Sequence, residues 1–408
     1  MVSVSLGVAL ALVLFLFYST SALFWLFEFV VARSGGVADE AAFEWGNEDI
    51  QVRIATVDAE AVVQGTVDAL PDAIDDVHVL AETDIEVSDA TVHAVPDSFE
   101  CDAIYKGRAL EWARQHVSCE KEYVLYLDED TIVANLNGLP DTDIVQFTEL
   151  PIFTGSRLAY LCEVFRIGYQ FEQRAFSRFR FPLYVWGGGL AIRRELEDRI
   201  TWDRRTVTED TAFVWTAAAT EDVSFSVVDA RFRNQTPPSL LALARQRRRW
   251  MTGNRSDAWR LPLRYRAFVL LRSVVWAFSP LLAILGLVGV GLASLASVVP
   301  FYGLAAGLLL VFLHGVTAVG ASIYRFRPLP TLIAVVLTVP VVLLSTVGAL
   351  WGFLLPVRSF EVTEKLPPAT VEERHPALSA GDIAAHPGTE PFGDPSAPLE
   401  VGPFDQYR

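Results

Sequence analysis

The feature that most constrains this chain is the separation of apolar from polar sequence. Residues 2–27 carry no charge, and three further apolar stretches lie between 268 and 355. Each approaches the roughly 20 residues that cross a hydrocarbon core. Residues 34–266 are polar enough to form a soluble domain. The first run lacks the basic flank and small-residue cleavage site of a signal peptide and is longer than such a core usually is. It reads as a retained membrane helix, since a buried core helix would not need so long an uncharged run. The expected organisation is a transmembrane helix over 1–32, a polar domain over 33–256, an interfacial helix over 257–275, three transmembrane helices over 276–355, and a tail over 356–408. The spans are expected near 276–297, 302–323 and 331–355. The tail is acidic and rich in Pro, with few large apolar residues, and is expected to be disordered.

Charge adds a second constraint. The net charge is -16, and of 33 Lys and Arg residues only Lys106, Lys121 and Lys365 are Lys. An acidic, Lys-poor surface is what keeps a protein soluble at high salt, so a halophilic source is expected. The imbalance is also local: Ser34 to Ile104 holds 18 carboxylates and one basic residue, Arg53, whereas Arg157 to Arg266 holds 20 Arg. The basic half suits a phosphate-bearing substrate or an anionic membrane surface, and Arg standing in for Lys on solvated faces accounts for many of these residues equally well. Basic residues favour the cytoplasmic side of a membrane. Arg264, Arg266, Arg272, Arg325 and Arg327 therefore put the domain and the 325–330 link inside and both termini outside. Three cysteines, Cys101, Cys119 and Cys162, match no metal-ligand spacing and fit a reduced compartment.

Within the domain, Val52 to Val57, Val77 to Leu80 and Tyr123 to Leu127 read as strands, with helices ending near Leu70 and spanning Tyr105 to Gln115. Strands alternating with helices imply an α/β fold with a mostly parallel sheet. In such sheets ligands gather at the carboxyl ends of strands, where Glu82 to Asp84 and Asp128 to Asp130 fall. A helical stripe runs from Arg157 to Phe179. Around Asp257 to Arg272, Trp259, Leu261, Tyr265 and Phe268 mixed with four Arg suggest a helix in the membrane interface, turning into the bilayer at Pro280.

Four short patterns carry chemistry. Asp128-Glu129-Asp130 follows an apolar strand, and carboxylates at i and i+2 there can hold Mg2+ or Mn2+ against a diphosphate, or form a solvated turn. Trp186-Gly187-Gly188-Gly189 combines backbone freedom with a flat apolar face on which a sugar can stack; a flexible linker is the alternative. Thr208-Glu209-Asp210-Thr211 opens a helix, where acidic residues serve as caps or as a base aimed into a site. Arg245-Gln246-Arg247-Arg248-Arg249-Trp250 joins a basic cluster that would lie on lipid with side chains that fork onto phosphate and stack on rings.

In order and spacing, these patterns together resemble the family-two inverting glycosyltransferases, especially the membrane synthases of the cellulose, chitin and hyaluronan type. Asp128-Glu129-Asp130 is similar to their Asp-x-Asp, Thr208-Glu209-Asp210 to their Thr-Glu-Asp, and Gln246-Arg247-Arg248-Arg249-Trp250 to their Gln-x-x-Arg-Trp. Lys106-Gly107-Arg108-Ala109 is similar to the basic segment before their metal motif. Leu-Asp-Glu-Asp-Thr with Gln-Arg-Arg-Arg-Trp-x-x-Gly is also similar to the egghead-like β-mannosyltransferases, which act on a glycolipid. The resemblance covers about residues 50 to 355. This chain has Thr56-Val57-Asp58-Ala59-Glu60 where the family has Pro-x-x-Asn-Glu, and Glu82-Thr83-Asp84 where it has Asp-Asp.

The resemblance implies a nucleotide-diphospho-sugar transferase (GT-A) domain with about four transmembrane helices in the cell membrane, its catalytic domain cytoplasmic. Asp128 and Asp130 would hold Mg2+ or Mn2+, and Asp210 with Glu209 would be catalytic. Asp58, Glu60, Asp84, Lys106, Arg108, Glu129, Gln246, Arg249 and Trp250 would bind the nucleotide-diphosphate sugar. Trp186, Gly187, Gly188, Gly189 and Trp250 would meet a lipid or glycan acceptor. Nucleic acid is not an expected partner, and the oligomeric state is left open. Two alternatives stand beside this reading: a polyprenyl-phosphate glycosyl synthase, and a non-catalytic membrane scaffold with the same fold.

Overall fold

A computed structural model of the protein describes residues 13, 16–17, 19–20, 22–24, 26–33, 37–291, 299–357 and 365–367. Strands β1 (Phe43–Trp45) and β7 (Leu139–Pro140) form a small antiparallel pair. The main sheet contains β2 (Ile50–Thr56), β3 (Asp76–Ala81), β4 (Thr91–Ala94), β5 (Tyr123–Asp128), β6 (Ile132–Val133), β8 (Ile144–Glu149), β9 (Gly189–Arg193) and β10 (Phe225–Arg233). Their order is β4-β3-β2-β5-β9-β8-β10-β6. Neighbours from β4 to β5 are parallel, β9 runs antiparallel to both β5 and β8, and β10 is parallel to β8. The mostly parallel α/β sheet expected from the alternation is present.

Side chains leave the strands alternately to opposite faces, and both faces are covered, as the near-continuous apolar runs require. Ile50, Val52, Ile54, Leu125 and Leu127 pack on one face with Val63 and Val67 of helix α1 (Glu60–Asp68). Val124 and Tyr126 pack on the other with Leu110 of α2 (Lys106–His116). Arg53 leaves β2 into this interior and pairs with Glu197 at 3.1 Å, while Tyr126 donates to the same carboxylate at 2.7 Å. The single cation of the 34–104 segment is therefore spent inside the fold. All three cysteines are free.

The remaining helices are α3 (Arg157–Gln170), α4 (Arg194–Arg199), α5 (Glu209–Thr220), α6 (Leu240–Asp257), α7 (Leu263–Gly291), α8 (Val299–Ile323), α9 (Pro328–Val336) and α10 (Thr338–Leu354). The stripe expected to run as one helix to Phe179 ends at Gln170 and continues as a 3₁₀ segment, Phe171–Arg178. The expected interfacial helix is divided by a 3₁₀ turn at Ala258–Arg260, and α7 continues past Pro280 to Gly291 without turning there. The late helices are built into the domain. A Cβ on Gly168 of α3 would overlap Val316 O of α8, one on Gly320 would overlap Val164 O, and Gly348 and Gly352 of α10 lie against the backbone of α6 in the same way. Small residues let these helices meet backbone to backbone.

Among the described residues no single helix is long and apolar enough to cross a membrane; α9 and α10 meet that length and composition only as a pair, bent by 61°. Most of the N-terminal run before residue 26, and the tail apart from 356–357 and 365–367, lie outside the described residues. Within the described part of the expected disordered tail, Lys365 and Leu366 lie against the site below.

Candidate active site

Strand β5 delivers Asp128 at its carboxyl end, and a turn closed by Thr131 N–H donating to Asp128 O (3.1 Å) carries Glu129 and Asp130. The Thr131 hydroxyl donates to Gly188 O at 2.9 Å, tying this turn to the glycine triplet. Gln146, buried in β8, holds the triplet from the other side: its amide donates to Trp186 O (3.0 Å) and Gly189 O (2.5 Å), and its carbonyl accepts from Trp186 N–H (2.8 Å). None of the three glycines has a positive φ. Their role is space rather than the backbone freedom expected from sequence. A Cβ on Gly187 would lie 2.7 Å from Asp210 Oδ2, and one on Gly188 would lie 2.7 Å from Asp128 Oδ2. The missing side chains let two carboxylates from different elements reach one place.

Two lysines meet these carboxylates. Lys106, at the start of α2, contacts Asp128 Oδ1 at 2.5 Å and donates to Gly187 O at 3.1 Å. Burial works against the Asp128 anion, but the Lys106 charge and hydrogen bond outweigh it and hold the carboxyl below its usual range. Burial likewise opposes the Lys106 ammonium, and Asp128 and Glu209 overcome it and raise its pKa. Asp130 is 3% exposed, and its Oδ2 accepts from Gln235 N–H and from Lys365, both at 2.7 Å. Gln235 in turn exchanges two hydrogen bonds with the Leu366 backbone.

Among the described residues no group of three or more His, Cys, Asp or Glu could hold a metal ion. Yet Asp130 Oδ1 is buried and, among those residues, has no hydrogen-bond partner. An acceptor-only oxygen in that state fits a cation. Mg2+ is commonly held by one or two carboxylates together with substrate phosphates and water, a set that Asp128 and Asp130 can begin. Glu129 is turned toward the fold, accepting from the Thr56 hydroxyl at 2.6 Å.

Asp210 lies in the first turn of α5. One oxygen accepts from Thr211 N–H at 2.8 Å and the other faces Gly187. Burial, then the neighbouring Glu209 charge, pushes its pKa up to about 7, with Lys106 pulling the other way. The preceding loop is held by α6. Arg249 donates to Val207 O at 3.1 Å, and the buried carboxylate of Asp257 accepts from the hydroxyls of Thr206 and Thr208. Thr208 makes no side-chain cap, so its hydroxyl is free for this anchor. Gly253 permits the approach, because a Cβ there would overlap Thr208 Oγ1.

Trp250 is placed by a buried ion network. Glu163 of α3 pairs with Arg247 and, at 2.5 Å, with Arg166, which Glu149 also grips with both oxygens. The Arg247 and Arg166 guanidiniums lie 4.2 and 5.5 Å from the Trp250 ring centroid. Gln246 accepts from Arg247 at 2.9 Å.

One cavity of about 1210 Å³ joins these groups. Asp128, Asp130, Lys106, Arg108, Glu129, Glu209, Asp210, Trp186, Gly187, Gln246, Arg249 and Trp250 all line it. Gly188 and Gly189 lie behind Trp186. Asp58, Glu60 and Asp84 are exposed and are not among its lining; Glu60 instead accepts from Glu86 N–H at 3.1 Å. The carboxylate at the end of β3 that does line it is Glu82. Sequence reasoning missed Lys365, Gln235, Tyr105, Arg166, Asp257 and Gly253. One signal was available for Lys365: with only three lysines in the chain, each position that avoids Arg is informative, and two of the three meet the site carboxylates.

The profile of Glycosyl transferase family group 2 matches residues 123–351. The β-1,4-mannosyltransferase egh of Drosophila melanogaster is 23% identical over 292 residues, 64% of this chain, and the match spans 63% of that relative's own length. Among solved structures, a mannosyltransferase from Pyrobaculum calidifontis in complex with GDP-Man and Mn2+ is 15% identical, with a TM-score of 0.46 over 85% of this chain and 97% of the other. Glucosyl-3-phosphoglycerate synthase from Mycobacterium tuberculosis in complex with Mn2+ and UDP-glucose is 17% identical, with a TM-score of 0.35 over 51% and 78%.

Proposed function

Because the chain belongs to Glycosyl transferase family group 2, we propose that it moves a hexose from a nucleotide-diphosphate sugar to an acceptor hydroxyl at a membrane, with inversion. Its mostly parallel sheet, with carboxylates at the end of β5, is GT-A-like. The observation that carries the proposal is the meeting of Asp128, the orphaned oxygen of Asp130 and Asp210 in one cavity, with glycine in place of any wall between them.

Asp128 and Asp130 would hold Mg2+ or Mn2+, which when bound supplies positive charge against the leaving diphosphate. Lys106, already raised as a cation by its neighbours, binds the same phosphates. Asp210 takes the proton from the acceptor hydroxyl as that oxygen attacks the anomeric carbon. A carboxylate held near neutrality by burial is matched to that task. Trp250, held in place by Arg247 and Arg166, lines the cavity where the acceptor sugar would lie. Arg249 and the Asp257 anchor keep Asp210 in line, and orientation contributes as much as the base does.

Mannose is the first sugar to test, on the strength of the Drosophila relative's name. A lipid or glycan acceptor at the cytoplasmic face of a membrane is supported by the 3₁₀ turn before α7 and the first residues of that helix, where Trp259 and Leu263 are 62% and 78% exposed beside Arg260 and Arg264. The test is incubation of the purified full-length chain with GDP- and UDP-sugars, Mg2+ or Mn2+, and a membrane lipid extract. Release of nucleoside diphosphate with a matching mass gain in a lipid or glycan, both abolished by EDTA, supports the proposal. Failure with every donor in the presence of metal contradicts it.

A further inference from the structure

We propose that Asn234 is a specificity residue that selects a sugar-headed acceptor over a lipid phosphate, its side-chain oxygen accepting a hydrogen bond from a hydroxyl of that sugar. The inference rests on the transferase reading above and deepens it. Strands β8 and β10 run parallel with Phe232 opposite Glu149, so the residue that follows β10 emerges beside the end of β8. Asn234 is 9% exposed there, and it lines the cavity together with Glu149, Arg166 and Trp250. Its amide nitrogen donates to Glu149 Oε1 at 2.9 Å. Glu149, gripped by Arg166 through both oxygens, can only accept, and this fixes the amide with its nitrogen on the carboxylate. The Asn234 oxygen is buried and has no hydrogen-bond partner among the described residues. A buried acceptor in that state calls for a hydrogen-bond donor.

The neighbours decide what kind of group supplies it. Glu149 and Glu163 face Arg166 and Arg247, two carboxylates against two guanidiniums, so the charges of this cluster offset one another. A phosphate finds no spare cation in it, and brings acceptor oxygens to an oxygen that itself needs a proton. A sugar brings uncharged hydroxyls, which fit. The position suits the same ligand. Next in sequence, Gln235 holds Asp130 through its backbone N–H at 2.7 Å, while Arg166, on the far side of Glu149, lies 5.5 Å from the Trp250 ring centroid. Asn234 therefore stands between the carboxylate assigned to the metal and the tryptophan assigned to the acceptor, where donor and acceptor would meet. A site built to hydrogen-bond a hydroxyl rejects ligands that lack it, because its buried polar group is then left unpaired.

The experiment uses the full-length chain and its Asn234→Ala variant with GDP- and UDP-sugars and Mn2+. The acceptors are p-nitrophenyl β-glucoside, p-nitrophenyl β-mannoside, farnesyl phosphate and a membrane lipid extract whose products are identified by mass spectrometry. The wild type is expected to extend a sugar, in the glycosides or in the extract, and to leave farnesyl phosphate unchanged. Asn234→Ala should raise the KM for that acceptor about tenfold, the loss of one hydrogen bond. Nucleotide-sugar affinity should hold, and so should the melting temperature, because Arg166 and Gln170 still bind Glu149. Among monodeoxy forms of the sugar acceptor, the one whose missing hydroxyl costs the wild type about tenfold should cost the variant little, since the partner is already gone. Transfer to farnesyl phosphate and to no sugar overturns the acceptor class and leaves the transferase standing. An equal loss of nucleotide-sugar affinity would give the oxygen to the donor sugar, and unchanged kinetics would leave it to water; either result overturns the assignment. A wild-type chain that transfers to none of these acceptors removes both readings.

Discussion

Asp210→Asn separates a helix cap from a catalytic base. In the folded chain the Asp210 pKa lies at about 7 against an ordinary 3.8, a rise of about three units driven first by burial. At about 1.4 kcal/mol per unit, ionising this group costs the folded state at most ~4 kcal/mol, and roughly half that after allowance for its partial exposure. The sign follows from proton binding. The native state holds the proton more tightly than the unfolded chain, so stability is highest below pH 3.8 and declines as pH rises through about 7. Asparagine never ionises and so escapes that decline, and its amide oxygen can still accept from Thr211 N–H. At pH 8 the variant should therefore melt at or above the wild-type temperature, while its turnover falls roughly 100-fold or more. Donor affinity should change little, because the proposed metal and phosphate contacts are assigned to Asp128, Asp130 and Lys106. In the wild type, turnover should rise with pH through about 7 as the carboxylate forms. The assay pairs thermal melts at pH 5 and 8 with nucleoside diphosphate release. A variant with near-normal turnover and a lowered melting temperature would make Asp210 a cap, worth about 1 kcal/mol, and the base assignment would fall.

Three further outcomes follow from the same geometry. Asp130→Asn removes the charge beside an orphaned oxygen while nearly keeping the shape; metal-dependent donor binding should be lost with little change in melting temperature, and unchanged donor affinity would remove the metal assignment. Lys365→Ala takes away an ammonium 2.7 Å from Asp130, so Mn2+ should bind the donor-free chain several-fold more tightly, as measured by calorimetry; equal affinity would mean that the lysine does not compete there. Gly253→Ala drives a methyl into Thr208, displacing the loop before Asp210; turnover should fall by about tenfold or more with donor affinity retained, and a fully active variant would show that α6 does not position the base.

The parts of this account legible in sequence were those written in short-range patterns. The run Tyr123 to Leu127 is apolar because β5 is covered on both faces, and its end marks the turn where Asp128 to Asp130 stand. The order of the motifs likewise announced that one cavity would gather them. What stayed hidden depends on approach between distant segments. The need for glycine at 187 and 188 is set by Asp210 and Asp128, which no local pattern reveals, and Gly253 answers to Thr208 across two elements. Asp58, Glu60 and Asp84 stand where the resemblance places donor-binding residues, but helix α1 begins at Glu60, whose carboxylate accepts from Glu86 N–H. Pro280 reads as a turn by composition, yet α7 passes through it. Lys365 sits in sequence that lacks a core-forming pattern, and its place comes from an ion pair with Asp130 and from hydrogen bonds of Leu366 with Gln235.

The central claim is a single displacement at the anomeric carbon with Asp210 as base, and the configuration of the linkage formed tests it most directly. NMR of the product made by the purified full-length chain from a donor of known anomeric configuration reads that outcome from the one-bond C1–H1 coupling constant. The account predicts a product whose anomeric configuration is opposite to that of the donor. A product that retains it would require a second displacement, and would contradict the mechanism assigned to Asp210.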